Sequence, residues 1–456
     1  MARILATSAS LILTENCNLA CTYCFEKHHN KYMDEATVVR TLDWLSNNAL
    51  ETGEGEFSII LFGGEPLLNF KCVKKAILYG EKMAQIKNLR FTVSLITNAT
   101  VMTDEIRDFL KEHRDAVDLR IQLSVDGTPE VQNEYRITKA GKGSFDMVAK
   151  NIPVFKEIYD NNPDDKRLSI HGCVNKKTLP KLSESFIFFH DILNFKQIWF
   201  LAISEENWDK EDAKIYDQEC AKIFAICKKD VEASGDIEDT FNYAPFDRYH
   251  SLGCGRNLPC SAGRNFVSIA TDGGIYPCHQ IYFHDEYNDT LLGNVMEPEV
   301  PVDTCKQRIF LKYEESDLGC GDCKNDACYR CLAANWVHNG AMFSQIKGNY
   351  CLMSSVENKY QKIMAKLAEK YQPEEDEECS CGGECSCENN KEHSCDDNHE
   401  CECKGECHKN KDSITCLCNL REGISNNGCD IVKNQDYCQS GNNPENIDCL
   451  CDMRTY

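Results

Sequence analysis

Up to about residue 230 the chain alternates between two periodicities. Short runs rich in β-branched and aromatic residues read as strands: SASLILT, FSIILF, FTVSLITN, LRIQLSVDG, RLSIHGCV and QIWFLAI. Between them lie amphipathic segments at 36–50, 70–86, 104–112 and 145–159, with apolar positions at helical spacing. Strand and helix in turn mean βα units, and βα units mean a parallel sheet covered by helices. From about 230 to 370 the pattern changes to few strands, many cysteines and frequent turn residues. Asp272-Gly273-Gly274, set between short apolar runs, reads as a hairpin turn. A last helical run covers Ser355 to Tyr371, after which apolar residues become too sparse to close a core. The pattern therefore predicts three parts, at 1–230, 231–371 and 372–456.

Charge and cysteine content sharpen this division. The net charge of −23 argues against nucleic acid as a partner, because phosphate binding needs a basic surface. Over half of it sits from Pro373 onward, where 20 acidic residues face 7 basic ones. Of 30 cysteines, fourteen crowd into the last 85 residues. No run reaches ~18 consecutive apolar residues, so no membrane span is expected. Ala2 to Leu13 runs straight into a cysteine loop without a cleavage site and reads as the first strand, not a signal peptide. The expected location is the cytoplasm, where thiols favour metals and clusters over disulfides.

Two motifs carry the chemistry. Cys17, Cys21 and Cys24 form a C-x3-C-x2-C triplet on the loop leaving the first strand. Three thiolates on one loop can hold three irons of a [4Fe-4S] cube and leave the fourth open to a small chelator, whereas zinc usually takes four closed ligands. Structural cysteines are the plainer alternative. Some forty residues on, a strand ends in Gly63-Gly64-Glu65-Pro66, where glycines allow close approach of backbone to a ligand and the Glu can accept from an ammonium group. In this order and spacing the triplet and the GGEP run resemble the radical S-adenosylmethionine (radical SAM) enzymes.

That resemblance implies an α/β fold, a partial (β/α)6 TIM-like barrel, with function at the C-terminal ends of its strands. Polar residues fall there: Asn98, Ser124, Asp126 and Asn175. It implies that S-adenosylmethionine chelates the open iron, with Gly63, Gly64 and Glu65 lining its amino group. Tyr23 would pack on the adenine, Ser124 would face the ribose, and Arg136 would pair with the carboxylate, for which a planar guanidinium is suited. A reductant such as flavodoxin or ferredoxin is the implied electron partner.

The cysteines of 231–371 are Cys254, Cys260, Cys278, Cys320, Cys323, Cys328, Cys331 and Cys351, with Cys305 as a spare. On residues alone they suit two zinc sites or two clusters. They resemble the SPASM extension of radical SAM enzymes, which carries two auxiliary [4Fe-4S] clusters. By position, Cys254, Cys260, Cys278 and Cys331 would hold one, and Cys320, Cys323, Cys328 and Cys351 the other. The run Cys320-x2-Cys323-x4-Cys328-x2-Cys331 is one residue shorter in two gaps than the family's C-x2-C-x5-C-x3-C. Cys72, Cys173, Cys220 and Cys227 read as plain core.

The SPASM branch mostly modifies peptides and proteins. Anaerobic sulfatase maturases oxidise a Cys or Ser to formylglycine and carry an Asp, proposed as a base, after the hairpin cysteine. Here that place holds His279, and the YPCHQ run is more like the maturases of Cys-rich ribosomal peptides, which install thioether crosslinks. The expected substrate is therefore a Cys-rich precursor peptide. A non-enzymatic multi-cluster electron carrier or metal-binding protein is the remaining alternative. The tail, with Cys-x-Cys five times and His393, His399 and His408 among them, suits soft-metal binding, a fused substrate-like segment, or a tether for a separate peptide. Leader recognition is expected at the tail or its root, since Cys17 leaves no room for a domain ahead of the barrel.

Overall fold

The computed structural model describes residues 6–203, 206–237, 243–247, 260–286, 288–297, 302–303, 306–307, 309–310, 325, 331–343 and 349–371. Every strand expected from the pattern is present: β1 (Ser8–Thr14), β2 (Glu56–Gly63), β3 (Arg90–Thr97), β4 (Leu119–Ser124), β5 (Leu168–Val174) and β6 (Ile198–Ala202). They lie in sequence order as parallel neighbours, and three more strands continue the same sheet beyond β1. β7 (Phe266–Ile269) runs parallel to β1, and β8 (Gly274–Tyr276) and β9 (Gly293–Asn294) follow antiparallel. The hairpin read at Asp272–Gly274 joins β7 to β8. This is the partial, TIM-like barrel of a mixed α/β fold, and its sheet extends into the cysteine-rich part.

The helices that cover the sheet are α1 (Glu35–Thr52), α2 (Phe70–Lys87), α3 (Asp104–His113), α4 (Pro129–Tyr135), α5 (Phe145–Ile158), α6 (Leu182–Ile187) and α7 (Lys210–Ser234). Their ends follow local chemistry. Asp34 caps α1 by accepting from Thr37 N, and Gly53 closes it in the left-handed conformation at φ 72°. Asp209 and Asp212 form a reciprocal capping box on α7. After the one-turn α8 (Ala244–Asp247), the described residues also form α9 (His279–His284), α10 (Leu332–Asn339) and α11 (Asn349–Tyr371). α11 begins six residues before the expected Ser355, so Cys351 sits on its first turn. Tyr216 of α7 donates to Glu357 of α11 at 3.0 Å in a buried contact.

Side chains alternate across each strand, so the two faces of the sheet can be read separately. The outward set, including Leu11, Leu13, Ile59, Leu61, Val93, Leu95, Ile121, Leu123 and Ile170, belongs to one continuous apolar core under the helices. The inward set is different. It is mainly Ser8, Ser10, Ser58, Ser94, Gln122, Ser124, Ser169, His171 and Cys173, with Ile12, Ile60, Phe62 and Ile96 near the start of the sheet. Closed TIM barrels fill this space with branched side chains. Here small polar ones take their place on most strands.

Candidate active site

The loop after β1 carries the three N-terminal cysteines and is stitched to the segment after α4. Ala20 N donates to Ile137 O at 2.7 Å and Thr22 N to Tyr135 O at 3.0 Å. Cys17 is buried, Cys21 half-buried and Cys24 exposed, so the triplet runs from interior to surface. Cys17 Sγ accepts from Leu19 N at 3.4 Å and lies 3.6 Å from Asn98 Nδ2. Asn98, at the end of β3, also donates to Asn18 Oδ1 at 2.9 Å.

The Gly63-Gly64 pair lies directly under this loop. Gly63 has φ +126°, and a Cβ there would meet Thr14 O at 2.2 Å; one on Gly64 would meet Asn16 O at 2.4 Å. Only glycine permits this approach. Gly64 N and Glu65 N then donate to Thr14 O and Asn16 O at 2.9 and 3.0 Å. The glycines thus hold the base of the cysteine loop. Glu65 is fully buried and accepts from Leu67 N at 3.0 Å, Thr97 Oγ1 at 2.8 Å and Asn98 N at 2.8 Å. Its carboxylate ties the ends of β2 and β3 together at the rim.

Asp126, after β4, gathers a second set. It accepts from Tyr23 Oη at 2.6 Å, Arg136 Nε at 2.9 Å and Cys173 N at 2.9 Å. The Arg136 guanidinium lies 5.5 Å from the Tyr23 ring centroid. Tyr23 and Arg136 therefore meet each other through Asp126. Ser124 sits half-buried on the inner face in register with His171. Asn175 caps the turn after β5, its Oδ1 accepting from Lys177 N and Thr178 N at 3.0 and 3.1 Å.

The electrostatics of the loop call for a cation. Burial, and then the fields of nearby acids and thiols, push Cys17 and Cys24 up to about 12. Burial likewise raises Glu26 to about 8 and Glu65 to about 7. Glu26 Oε2 is buried with no hydrogen-bond partner among the described residues. Three thiols graded from interior to surface on one loop, beside two carboxyls whose pKa burial raises, fit a metal cluster, which converts thiols to thiolates and offsets the acids. Among the described residues no three metal-binding side chains converge on one point. A cube does not require that, because it takes its thiolates on separate irons.

A second thiol group lies at the sheet extension. Cys278 caps α9, its Sγ accepting from Ile281 N at 3.3 Å, and Cys331 caps α10, accepting from Ala334 N at 3.5 Å. Helix N-termini favour thiolate. Cys260 Sγ accepts from Ala262 N at 3.4 Å. Cys331 Sγ donates to Gln280 Oε1 on α9 at 3.2 Å, and burial raises the Cys278 thiol, with the fields of Cys331 and Cys260 adding to it. Cys351 lies on α11 and is half-buried. Cys254, Cys305, Cys320, Cys323, Cys328 and the tail motifs from 372 onward lie outside the described residues.

α9 also reaches the barrel. His279 packs 4.3 Å from Phe62, with Nδ1 3.5 Å from Ser10 Oγ, and burial lowers its pKa to about 4. Phe283 meets Phe25 edge-on at 5.9 Å. With Ile12 and Phe62, Phe283 forms a small apolar cluster that covers the β1–β3 side of the inner face.

Cys72, Cys220 and Cys227 are buried, as read. Cys173 is not plain core. It lies on the inner face beside Asp126, Tyr23 and Arg136. Its parity along LSIHGCV, shared with Ser169 and His171, is the signal that places it there. Glu15, Glu26 and Gln132 were also missed, for acids and amides on loops carry no spacing rule. Gln132 Oε1 accepts from Asp126 N at 2.8 Å.

A family model, the Radical SAM superfamily, matches residues 11–163. Residues 11–163 are a radical SAM domain. Among curated relatives, the cysteine-type anaerobic sulfatase-maturating enzyme of Clostridium novyi (strain NT) is 26% identical over 289 residues, covering 60% of this chain and 73% of its own. The radical SAM cyclopropyl synthase TigE of Paramaledivibacter caminithermalis is 22% identical over 205 residues, 42% of this chain and 40% of that one. Among solved structures, native anSMEcpe with bound AdoMet and Cp18Cys peptide superposes with a TM-score of 0.62 at 21% identity, covering 80% of this chain and 99% of that one. That likeness extends the shared fold beyond the radical SAM domain into the cysteine-rich part. The family implies S-adenosylmethionine and a [4Fe-4S] cluster, and Cys17, Cys21 and Cys24 are the donor set that fits it.

Proposed function

We propose that this radical SAM protein modifies a Cys-rich ribosomally made peptide and forms thioether crosslinks between cysteine sulfur and carbon. The observation that carries the reading is the thiol-bearing loop at the rim of a barrel whose inner face is mainly polar across β3 to β5, with Ser94, Gln122, Ser124, Ser169 and His171 only partly buried. When bound, cluster and S-adenosylmethionine supply a 5′-deoxyadenosyl radical that removes one hydrogen atom from a substrate carbon. The chain's own residues position and shield. Gly63 and Gly64 hold the loop close, Glu65 and Asn98 fix its interior cysteine, and the Asp126–Arg136–Tyr23 set lines the rim where the cofactor's methionine and adenosine parts would lie. Cys254, Cys260, Cys278 and Cys331, and then Cys320, Cys323, Cys328 and Cys351, would hold two auxiliary clusters. These would accept an electron back or bind a substrate thiolate. Domain limits near 230 and 371 follow from this assignment.

His279 and the Cys-laden tail favour crosslinking. The similarity to sulfatase-maturating enzymes supports formylglycine formation on a Cys or Ser equally well. Mass spectrometry separates the two. The reconstituted full chain, with dithionite and S-adenosylmethionine, would be given a Cys-type sulfatase peptide, its own tail serving as the internal Cys-rich probe. Loss of two hydrogens per crosslink in the tail supports the proposal. Exchange of a thiol for an aldehyde in the sulfatase peptide supports the alternative. Iron-loaded protein that never cleaves the cofactor would instead favour an electron carrier.

A further inference from the structure

Glu15 stands two residues before Cys17, at the end of β1, and its side chain is only 2% exposed. Three donors from beyond its own strand reach it. Tyr282 Oη donates to Oε1 at 2.5 Å and Lys31 Nζ approaches the same oxygen at 3.4 Å, while His29 Nδ1 donates to Oε2 at 2.7 Å. His29 and Lys31 close the loop that carries the three N-terminal cysteines. Tyr282 lies on α9, the helix capped by Cys278. One carboxylate thus binds the strand, the loop and the helix.

A carboxylate this deep is tolerated only with donors fixed around it, and those donors are held in return. Tyr282 is itself seated, its ring 4.8 Å from Tyr276 on β8 and 4.9 Å from Phe283. Burial and the Glu15 charge raise its pKa, so it stays protonated as a donor. A second pair spans the same two segments: Lys27 Nζ meets Glu286 at 2.6 Å, but its side chains are 51% and 60% exposed. Water screens that pair, and it contributes little.

We propose that Glu15 is a positioning residue whose buried carboxylate latches α9 onto the N-terminal cysteine loop. The latch fixes the separation between the Cys17/Cys21/Cys24 site and the Cys260/Cys278/Cys331 site. Its consequence rests on reading both as cluster sites. Its existence does not, because hydrogen exchange reads the latch whether or not iron is bound.

The test is hydrogen exchange by mass spectrometry on the full chain, before and after reconstitution with iron and sulfide. Tyr282→Phe keeps the ring and removes the donor; Glu15→Leu removes the acceptor. Both are expected to raise exchange at residues 15–31 and 279–284 together, by about tenfold, as loss of a hydrogen bond to a buried charge implies. Glu15→Gln keeps an oxygen for Tyr282 and is expected to restore most protection at 279–284 but not at 29–31. Lys27→Ala is expected to leave both segments within about twofold of wild type. In reconstituted protein, Tyr282→Phe should also weaken the magnetic interaction between reduced clusters in the electron paramagnetic resonance spectrum, while Lys27→Ala should not. Unchanged exchange in the latch variants would overturn the proposal. So would a rise in one segment without the other in Tyr282→Phe or Glu15→Leu, a Lys27→Ala effect as large as Tyr282→Phe, or protection lost equally across β2–β5.

Discussion

The two faces of the barrel sheet are built from the same strands by opposite rules. Outward, Leu11, Leu61, Leu95, Ile121 and Ile170 are each almost fully buried under helices. Inward, Ser10, Ser94, Gln122, Ser169 and His171 occupy the alternate positions. The outer face supplies stability by burying apolar area. The inner face gives up that contribution to keep room and donors for a ligand. The inner face is further divided. Phe283, Phe25 and His279 cover Ile12 and Phe62 on the β1–β3 side. Across β4 to β6, by contrast, Gln122 and His171 meet at 2.8 Å and Trp199 remains 37% exposed. Among the described residues this side carries the polar groups, and it is where the proposed chemistry would take place.

The largest effect should come at the rim, where the inner face buries charge. Asp126→Ala leaves the Arg136 guanidinium, 10% exposed, without its partner. Removing one member of a buried pair costs about 3–5 kcal/mol, so chemical denaturation should show a loss of that order. On the outer face, Leu95→Ala should cost about 2–5 kcal/mol by cavity formation. An Asp126→Ala loss below about 1 kcal/mol would remove the rim from this picture.

How far these faces can be read in advance depends on what each residue answers to. The strands were legible because alternation is imposed by the backbone, and FTVSLIT or LRIQLS can satisfy it in only one register. The cysteine triplet and GGEP were legible because their spacing is short and fixed by chemistry. Gly63 and Gly64 were read as room for a ligand, yet what they first admit is the carbonyls of Thr14 and Asn16. Cys173 was read as core because a buried thiol and an inner-face thiol look alike until strand parity is applied. Glu15 and Tyr282, 267 residues apart, met only through the tertiary fold, and nothing local in either segment announces the other.

A smaller effect should appear with pH. Burial, then the Arg136 charge, lowers the pKa of His171 on the inner face from 6.5 to about 4. The unfolded chain takes up this proton near 6.5 and the folded chain only near 4, so the stability contribution is complete above 6.5 and is lost as pH falls toward 4. The slope should be about 1 kcal/mol per pH unit in that window. His279, lowered by burial to about 4 as well, contributes alongside it, so His171→Gln should remove only this increment. The stability difference between wild type and variant should fall by about 1 kcal/mol per pH unit as thermal melts go from pH 6.5 toward 4. Smallest of all, Ser94→Ala on the inner face should change stability by no more than about 0.5 kcal/mol, against the large cost at neighbouring Leu95. Equal costs at the two positions would erase the distinction between faces.

On the proposed reading, the inner face serves a cofactor held by the N-terminal loop. The most direct measurement is iron content and 5′-deoxyadenosine formation, with dithionite and S-adenosylmethionine, in anaerobically reconstituted wild type and in Cys17/Cys21/Cys24→Ala. Wild type is expected to cleave the cofactor, and the triple variant to lose about four irons and all cleavage. Cleavage that survives in the triple variant, or its absence in fully loaded wild type, would contradict it.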